Sequence, residues 1–280
     1  MKRMILAMAA ALMLAACEKH EEVAQNEESK DTLHQMTIHF DFGPAATRAS
    51  LTELNLTDLW CFDYVGGELQ NTIHQVSTDQ GFGSLAMSLD YGEHTFYFVA
   101  SRGIDPVVDT DTKTITWDSV RDTFHASLTL NVQPTSSSSQ SVSLARVVGR
   151  LRISATDVVP ANAAKVTVTP STWYHGLNYE TGAAMSSSST PISVNIPASY
   201  IGTTDLMMSA YTISDSSPWQ TDVTVSLLAS DESVIGSVTL PNVSIQRNHI
   251  TVCSGGIVGA GRTITIGSED EWVEDEPVNW

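Results

Sequence analysis

An alternation of apolar and polar residues with a period of two constrains the fold of this chain more than any other feature. The first alternating segment carries its apolar side chains at Met36, Ile38, Phe40 and Phe42. The pattern recurs in five later segments, at residues 85–89, 166–168, 192–196, 223–227 and 264–266. Because successive side chains of a strand point to opposite faces, these segments predict strands with one buried face.

Two further segments, residues 59–65 and 94–101, are apolar or aromatic on both faces, which predicts central strands covered on both sides. Turn signals such as the glycine pair at Gly66 and Gly67 separate the strands at short intervals. Short strands between frequent turns indicate an all-β sandwich fold. Only residues 116–128 are compatible with a short helix, which Asp118 would cap.

A serine-rich stretch, QPTSSSSQS at residues 133–141, separates two apolar segments and indicates a domain boundary near Ser143. The chain has 280 residues, of which 42% are hydrophobic, and this is enough for two ordinary domains. We therefore predict an N-terminal β-sandwich at residues 36–143. A C-terminal β-sandwich follows at residues 144–280 and ends in an acidic tail.

The N-terminus has the pattern of a bacterial lipoprotein signal. Lys2 and Arg3 precede an apolar run at residues 4–14, and the sequence LAAC then brings small residues to Cys17. This pattern predicts a signal peptide at residues 1–16, cleavage before Cys17, and lipid on its sulfur and its new amine. Residues 17–35 are charged and lack aromatic side chains, which predicts a flexible acidic stalk. The acidic run behind the cysteine also resembles the surface-export signal of Bacteroidetes lipoproteins and predicts an outward-facing position on the outer membrane.

The negative net charge argues against nucleic acid as a partner. Thirty-two acidic residues against fourteen basic ones give a formal charge of −18. A chain of this charge repels the phosphates of nucleic acids and of anionic lipids, so we predict no nucleic-acid partner.

The two cysteines that follow Cys17 are predicted to be buried free thiols. Cys61 and Cys253 lie far apart in the sequence and in different predicted domains. A disulfide between them would require close approach of two domain cores, and neither has the spacing of a metal site.

Motifs for catalysis are absent from the sequence. It contains no HExxH, no GxSxG and no phosphate-binding glycine loop at a strand–helix junction, so we predict no enzyme, no cofactor and no metal. Asp105, Asp109 and Asp111 could offer carboxylates to Ca²⁺. Aspartates are also common in turns, where they accept backbone hydrogen bonds, and we favour this ordinary interpretation.

Four aromatic residues form the basis of an alternative function. Trp173, Tyr174, Tyr179 and Trp219 could build a flat platform that stacks on sugar rings. The alternative hypothesis is therefore a surface lipoprotein that binds a glycan or another host-surface ligand.

Three elements together resemble the Bacteroidetes fimbrillin superfamily, the subunits of type V pili. The first is the lipoprotein signal with its acidic stalk, and the second is the run TRASLTELNLTDLWCFDY at residues 47–64. The third is the pair of segments LARVVGRLRIS and RNHITVCSGG in the second half. Within the superfamily the chain is most similar to the anchor and accessory branch. The resemblance implies two transthyretin-like β-sandwich domains, a position in a surface fimbria, and other fimbrial subunits as partners.

The resemblance also implies a site of strand exchange. In stalk subunits of the superfamily an arginine-specific protease cuts the loop after the first strand, and a neighbour's strand fills the groove. On this chain the cut would fall between Arg48 and Ala49, and Met36, Ile38, Phe40 and Phe42 would line the groove. Anchor subunits keep both the lipid and the first strand. The acidic tail favours retention, and the choice between anchor and polymerising subunit stays open at this point.

Overall fold

A computed structural model describes residues 33–42, 50–204, 206–259 and 264–269. Within these ranges nineteen strands form four sheets, and the helical content is a single 3-10 turn at Ala198–Tyr200. This confirms the prediction of an all-β fold. No helix in the described ranges is long and apolar enough to cross a membrane.

The largest sheet has seven strands in the order β3-β2-β5-β8-β9-β1-β4. Its strands are β1 Leu33–Phe42, β2 Asp58–Val65, β3 Glu68–Val76, β4 Ser84–Asp90, β5 Gly92–Ser101, β8 Thr123–Val132 and β9 Ser139–Arg146. All neighbouring pairs are antiparallel except β1 and β9, which are parallel. The predicted first strand and the two predicted central strands, β2 and β5, are confirmed.

Alternate residues of this sheet build the first hydrophobic core. Its members include Met36, Ile38, Phe42, Leu59, Leu85, Phe98, Phe124 and Leu144. β2 is buried along six consecutive residues because side chains on its second face pack into a different core. This second contact explains why its sequence is apolar on both faces.

The second half of the chain contains two four-stranded sheets that pack on each other. One has the order β15-β10-β18-β19, with β10 Val148–Ala155, β15 Met207–Ile213, β18 Ile250–Gly255 and β19 Ile264–Glu269. The other has the order β14-β11-β16-β17, with β11 Ala163–Pro170, β14 Ile192–Asn195, β16 Trp219–Ala229 and β17 Val234–Ile245. The core between them includes Leu151, Ile153, Val166, Val168, Val225 and Cys253.

A small fourth sheet joins segments that are distant in the sequence. Its order is β13-β12-β7-β6, with β6 Val107–Asp109, β7 Thr114–Thr116, β12 Trp173–Asn178 and β13 Ala183–Ser188. It contributes to a third hydrophobic core that includes Phe62, Trp117, Val147, Leu177, Tyr179 and Ile213. The core therefore draws on both halves of the chain. Ser143 itself lies inside β9, and the division into domains at this residue stays a prediction.

The predicted helix at residues 116–128 does not form. β7 ends at Thr116 and β8 begins at Thr123, and β8 pairs with β5 along ten residues. Between them Trp117 is buried in the third core. Long-range pairing and burial outweigh a local helix preference that amounts to only a few tenths of a kcal/mol per residue, on the order of 0.5.

Candidate functional site: the first strand and the adjoining cavity

β1 is held on both sides by hydrogen-bonded strands. It pairs with β4 from Leu33, opposite Asp90, and with β9 as far as Phe42, opposite Leu144. Among the described strands, β1 is the only hydrogen-bonded neighbour of β4. β1 therefore links the end strand of the sheet to its remaining five strands.

The predicted groove residues occupy the core side of β1. Met36, Ile38 and Phe42 are buried, and Phe40 packs against the same core while half-buried. The rings of Phe42 and Phe124 meet edge to face at 4.8 Å between centroids, and those of Phe40 and Phe98 at 5.1 Å. The structure thus brings the four residues together on one strand, as the sequence predicted.

The predicted lipidation and cleavage residues, Cys17, Arg48 and Ala49, lie outside the described residues. The described chain resumes at Ser50, whose amide donates to Glu53 Oε2 at 2.6 Å. The Glu53 amide donates back to Ser50 Oγ at 3.2 Å, and Leu51 is buried in the first core. This reciprocal pair is typical of a capping box and fixes the turn that directly follows the predicted cut.

A cavity of about 320 Å³ is lined in part by β4, the strand that pairs with β1. Its lining comes from β2, β3 and β4, together with Tyr91 and His94. Inside it, His94 Nδ1 lies 2.8 Å from Asp63 Oδ1, and His94 Nε2 lies 3.1 Å from the carbonyl oxygen of Asp90. Both side chains are almost fully buried, so the pair is shielded from water.

The sequence analysis missed this histidine–aspartate pair. The sequence feature that could have indicated the pair was Asp63 itself, a carboxylate inside the otherwise apolar segment LWCFDYV. Burial of a carboxylate is costly unless it is hydrogen-bonded, so a buried polar partner should have been expected. The partner is 31 residues away, and nothing in the local sequence identifies it.

Cys61 lines the same cavity but lacks the character of a nucleophile. Burial, reinforced by the nearby negative charge of Asp63, raises the pKa of the Cys61 thiol. Burial also raises the pKa of the Asp63 carboxyl, whereas its hydrogen bond to His94 acts in the opposite direction. Since the thiolate is the reactive form of cysteine, a protonated Cys61 at neutral pH does not support covalent catalysis. Cys61 and Cys253 are both buried and free, as predicted.

Two of the three aspartates weighed for Ca²⁺, Asp109 and Asp111, belong to an ordinary turn. Asp109 Oδ1 accepts hydrogen bonds from the amides of Asp111 and Thr112 at 2.9 and 3.1 Å, and these lower the pKa of Asp109. The described residues contain no group of three or more histidine, cysteine, aspartate or glutamate side chains placed to hold a metal ion.

The four aromatic residues predicted as a sugar platform are divided between core and surface. Trp173 is buried and donates from Nε1 to the carbonyl of Tyr211, and Tyr179 is fully buried against Phe62. Tyr174 and Trp219 are half-buried and meet edge to face, with 5.1 Å between ring centroids. The four residues do not form one platform, because Trp173 and Tyr179 are core residues.

Several solved structures share the fold of this chain, among them a fimbrial anchor protein and proteins described as adhesins. The fimbrial anchor protein Mfa2 from Porphyromonas gingivalis matches with a TM-score of 0.51 and 10% identity, over 86% of this chain and 98% of that chain. A DUF1812 protein of Bacteroides thetaiotaomicron, described as a proposed polysaccharide-binding protein, matches at 0.55 and 9%, over 85% and 96%. A proposed adhesin from Bacteroides ovatus matches at 0.52 and 10%, over 82% and 88%. The resemblance to the fimbrillin superfamily is thereby confirmed at the level of the fold.

The sequence comparison identifies the family directly. Residues 90–279 match the model of DUF6562, a family of unknown function, and the chain belongs to this family. No curated protein matches the sequence.

Proposed function

We propose that the chain is a non-enzymatic structural subunit of a surface fimbria, acting as an outer-membrane anchor or accessory subunit. It would join its neighbours by β-strand complementation. The observation that supports this proposal is the position of β1, the first strand of the sequence, between β4 and β9 inside the seven-stranded sheet.

The energetics of β1 suit strand exchange. Its core-facing side chains are worth roughly 1.5 to 3 kcal/mol each when they are buried. Loss of the strand would expose this apolar surface and leave a row of unpaired backbone groups on β9. Another extended segment can satisfy both requirements, because its backbone continues the ladder and its alternate side chains fill the vacated positions.

The pairing of β4 sets the geometry of an incoming strand. Since β1 is its only hydrogen-bonded partner among the described strands, β4 would detach from the sheet if β1 left. A replacement strand must therefore bond on two sides, parallel to β9 and antiparallel to β4. Its apolar residues must fall opposite Leu85 and Met87, which Ile38 and Met36 now face.

The anchor form of the proposal retains β1. Lipid on Cys17 would hold the chain at the outer membrane, with residues 17–35 as a stalk, and an uncut loop at Arg48 would keep β1 in place. The fold shared with a fimbrial anchor protein supports this form.

Mass spectrometry of the N-terminus of protein recovered from its native cells tests the proposal. A lipid-modified Cys17 together with an intact residue 36–42 segment is expected for an anchor. A chain that starts at Ala49 would instead identify a subunit that has exchanged its first strand. A chain that carries neither feature would contradict both forms.

Filament attachment provides the second test. Ile38→Asp places a charge in the core side of β1 and should release fimbriae from cells, whereas His39→Asp on the exposed side should not. Fimbriae that stay cell-bound and unchanged in length after deletion of the whole protein would refute the structural role.

A further inference from the structure

The cavity lies where the two end strands of the large sheet approach each other. β3 and β4 are the end strands of the seven-stranded order, and residues of both line the cavity. At one end the Gln75 side chain bridges them, donating to the carbonyl of Ser84 at 3.1 Å and accepting from the amide of Gly83 at 3.1 Å. Neither strand has a second hydrogen-bonded neighbour among the described residues.

Among the described residues, one oxygen of Asp63 has no hydrogen-bond donor. The Asp63 side chain is nine-tenths buried and lines the cavity, and its Oδ1 is bonded to His94. Its Oδ2 accepts no hydrogen bond from the described part of the chain. This oxygen is not one of the fully buried side-chain atoms that lack a partner, so it is accessible and can accept a hydrogen bond from a ligand.

The remaining lining specifies the chemistry of that ligand. Beside Asp63 and Asp90 it carries the carboxamides of Gln70 and Asn71, and it contains no lysine or arginine. The lining thus carries two carboxylates and no cationic side chain. Lysine and arginine side chains are cationic and only donate, which complements a lining with two carboxylates. The formal charge of −18 draws cations to the protein as a whole.

The apolar part of the lining suits the stem of such a side chain. Ile73, Met87 and Leu89 line the cavity together with the carboxylates, and the exposed ring of Tyr91 lies at its boundary. Long basic side chains bury their methylene groups on apolar surface while the charged head binds elsewhere, and aromatic rings attract cations.

We propose that this cavity binds a lysine or arginine side chain presented by an extended segment of a partner chain. The basic head pairs with Asp63, and the segment runs along the open edges of β3 and β4, which can extend their backbone ladders. The site does not depend on the proposed exchange of β1, since the edges of β3 and β4 are available while β1 is in place.

Titration of the full-length protein with blocked tripeptides tests this proposal. The probes are Ac-Ser-Lys-Ser-NH₂, Ac-Ser-Arg-Ser-NH₂ and, as a neutral control, Ac-Ser-Gln-Ser-NH₂. The readout is the imidazole NMR signal of His94 at neutral pH, because this ring contacts Asp63 directly. The basic peptides should shift the signal in a saturable manner and the glutamine peptide should leave it unchanged.

Variants locate the binding to the cavity. Asp63→Asn should weaken binding of the basic peptides by about tenfold or more, the effect of removing the charge from a buried ion pair. Asp58→Asn is the matched control, since Asp58 pairs with His74 at the same 2.8 Å distance but outside the cavity. It should change the affinity less than about twofold.

A second variant separates a loss of binding from a loss of folding, because Asp63→Asn could weaken binding by misfolding. Asp90 is exposed, so Asp90→Lys should leave the melting temperature close to that of the parent while it places a competing cation at the cavity. Equal shifts with the glutamine peptide, no shift with any peptide, or unchanged affinity in Asp90→Lys would overturn the proposal. A monosaccharide that shifts the His94 signal where the basic peptides do not would also overturn it.

Discussion

Arg146 and Asp122 form a buried ion pair in which the arginine donates two hydrogen bonds to the carboxylate. Nε lies 2.7 Å from Oδ1 and Nη2 lies 2.9 Å from Oδ2. Arg146 Nη1 also donates to Asn248 Oδ1 at 2.9 Å, and its guanidinium lies over the ring of Phe124. One side chain at the end of β9 therefore connects the large sheet to a residue of the C-terminal half.

Loss of this ion pair should be strongly destabilising. Asp122→Ala leaves a buried guanidinium without its counter-charge, and we expect the free energy of unfolding to fall by about 3 to 5 kcal/mol. Urea denaturation measures the change. The control is Glu232→Ala, which removes the partner of Lys165 at the surface and should cost at most about 1 kcal/mol. Similar losses of unfolding free energy in Asp122→Ala and Glu232→Ala would contradict the expected difference between the buried and the surface ion pair.

Truncation of the buried face of β1 should lower stability, and truncation of its exposed face should not. Ile38→Ala removes a fully buried side chain between Leu85 and the first core, at an expected cost of about 2 to 5 kcal/mol. His39→Ala on the opposite face should stay within about 0.5 kcal/mol of the parent. Thermal unfolding followed by circular dichroism compares the two, and an inert Ile38→Ala would show that β1 contributes little to the core.

Asp63 should make the protein less stable as pH rises through the acidic range. Burial raises its pKa in the folded state, so the folded protein holds the proton more tightly than the unfolded chain. The contribution of Asp63 to the free energy of unfolding is therefore fully present below the pKa of its carboxyl in the unfolded chain, about 3.9. This contribution is lost as the pH rises through the pKa of the same carboxyl in the folded protein. The measurement is the difference in unfolding free energy between the parent and Asp63→Asn at several pH values. His94, the backbone of Asp90 and the thiol of Cys61 surround the carboxyl and stay the same in both proteins.

Asp109 should give a pH dependence of stability opposite to that of Asp63. Backbone hydrogen bonds lower its pKa, so its contribution is present above the unfolded pKa and is lost as pH falls. The parent should therefore gain stability over Asp109→Asn with rising pH, while it loses stability relative to Asp63→Asn. The quantity compared is the slope, against pH, of the difference in unfolding free energy between the parent and each variant. Slopes of the same sign for Asp63→Asn and Asp109→Asn would show that burial does not control the titration of Asp63.

The thiols of Cys61 and Cys253 should be unreactive in the folded protein. Burial raises both pKa values, that of Cys253 to about 11, so the thiolate is scarce at neutral pH. Ellman's reagent at pH 7.5 should label neither residue until denaturant is added. Denatured protein that carries lipid on Cys17 should then react at two thiols, whereas an unlipidated chain should react at three.

Local patterns in the sequence were sufficient for several strands and for the buried face of β1, whereas Ile266 of the predicted strand at residues 264–266 is exposed. Met36, Ile38 and Phe42 are buried as their alternation predicted, because a period of two maps directly onto the two faces of a strand. The free, buried state of Cys61 and Cys253 was equally accessible, since both lie in apolar segments. Residues 116–128 were misassigned because the ten-residue pairing of β8 with β5 joins segments more than twenty residues apart.

The sequence by itself determined the all-β architecture and the apolar face of β1, because both depend on neighbours within a few residues. Only the tertiary structure decided that β1 lies between β4 and β9, that Asp63 meets His94, and that Trp173 and Tyr179 are core residues rather than a binding surface. These relationships join residues tens of positions apart. Strand order, not local pattern, determines which of them come into contact.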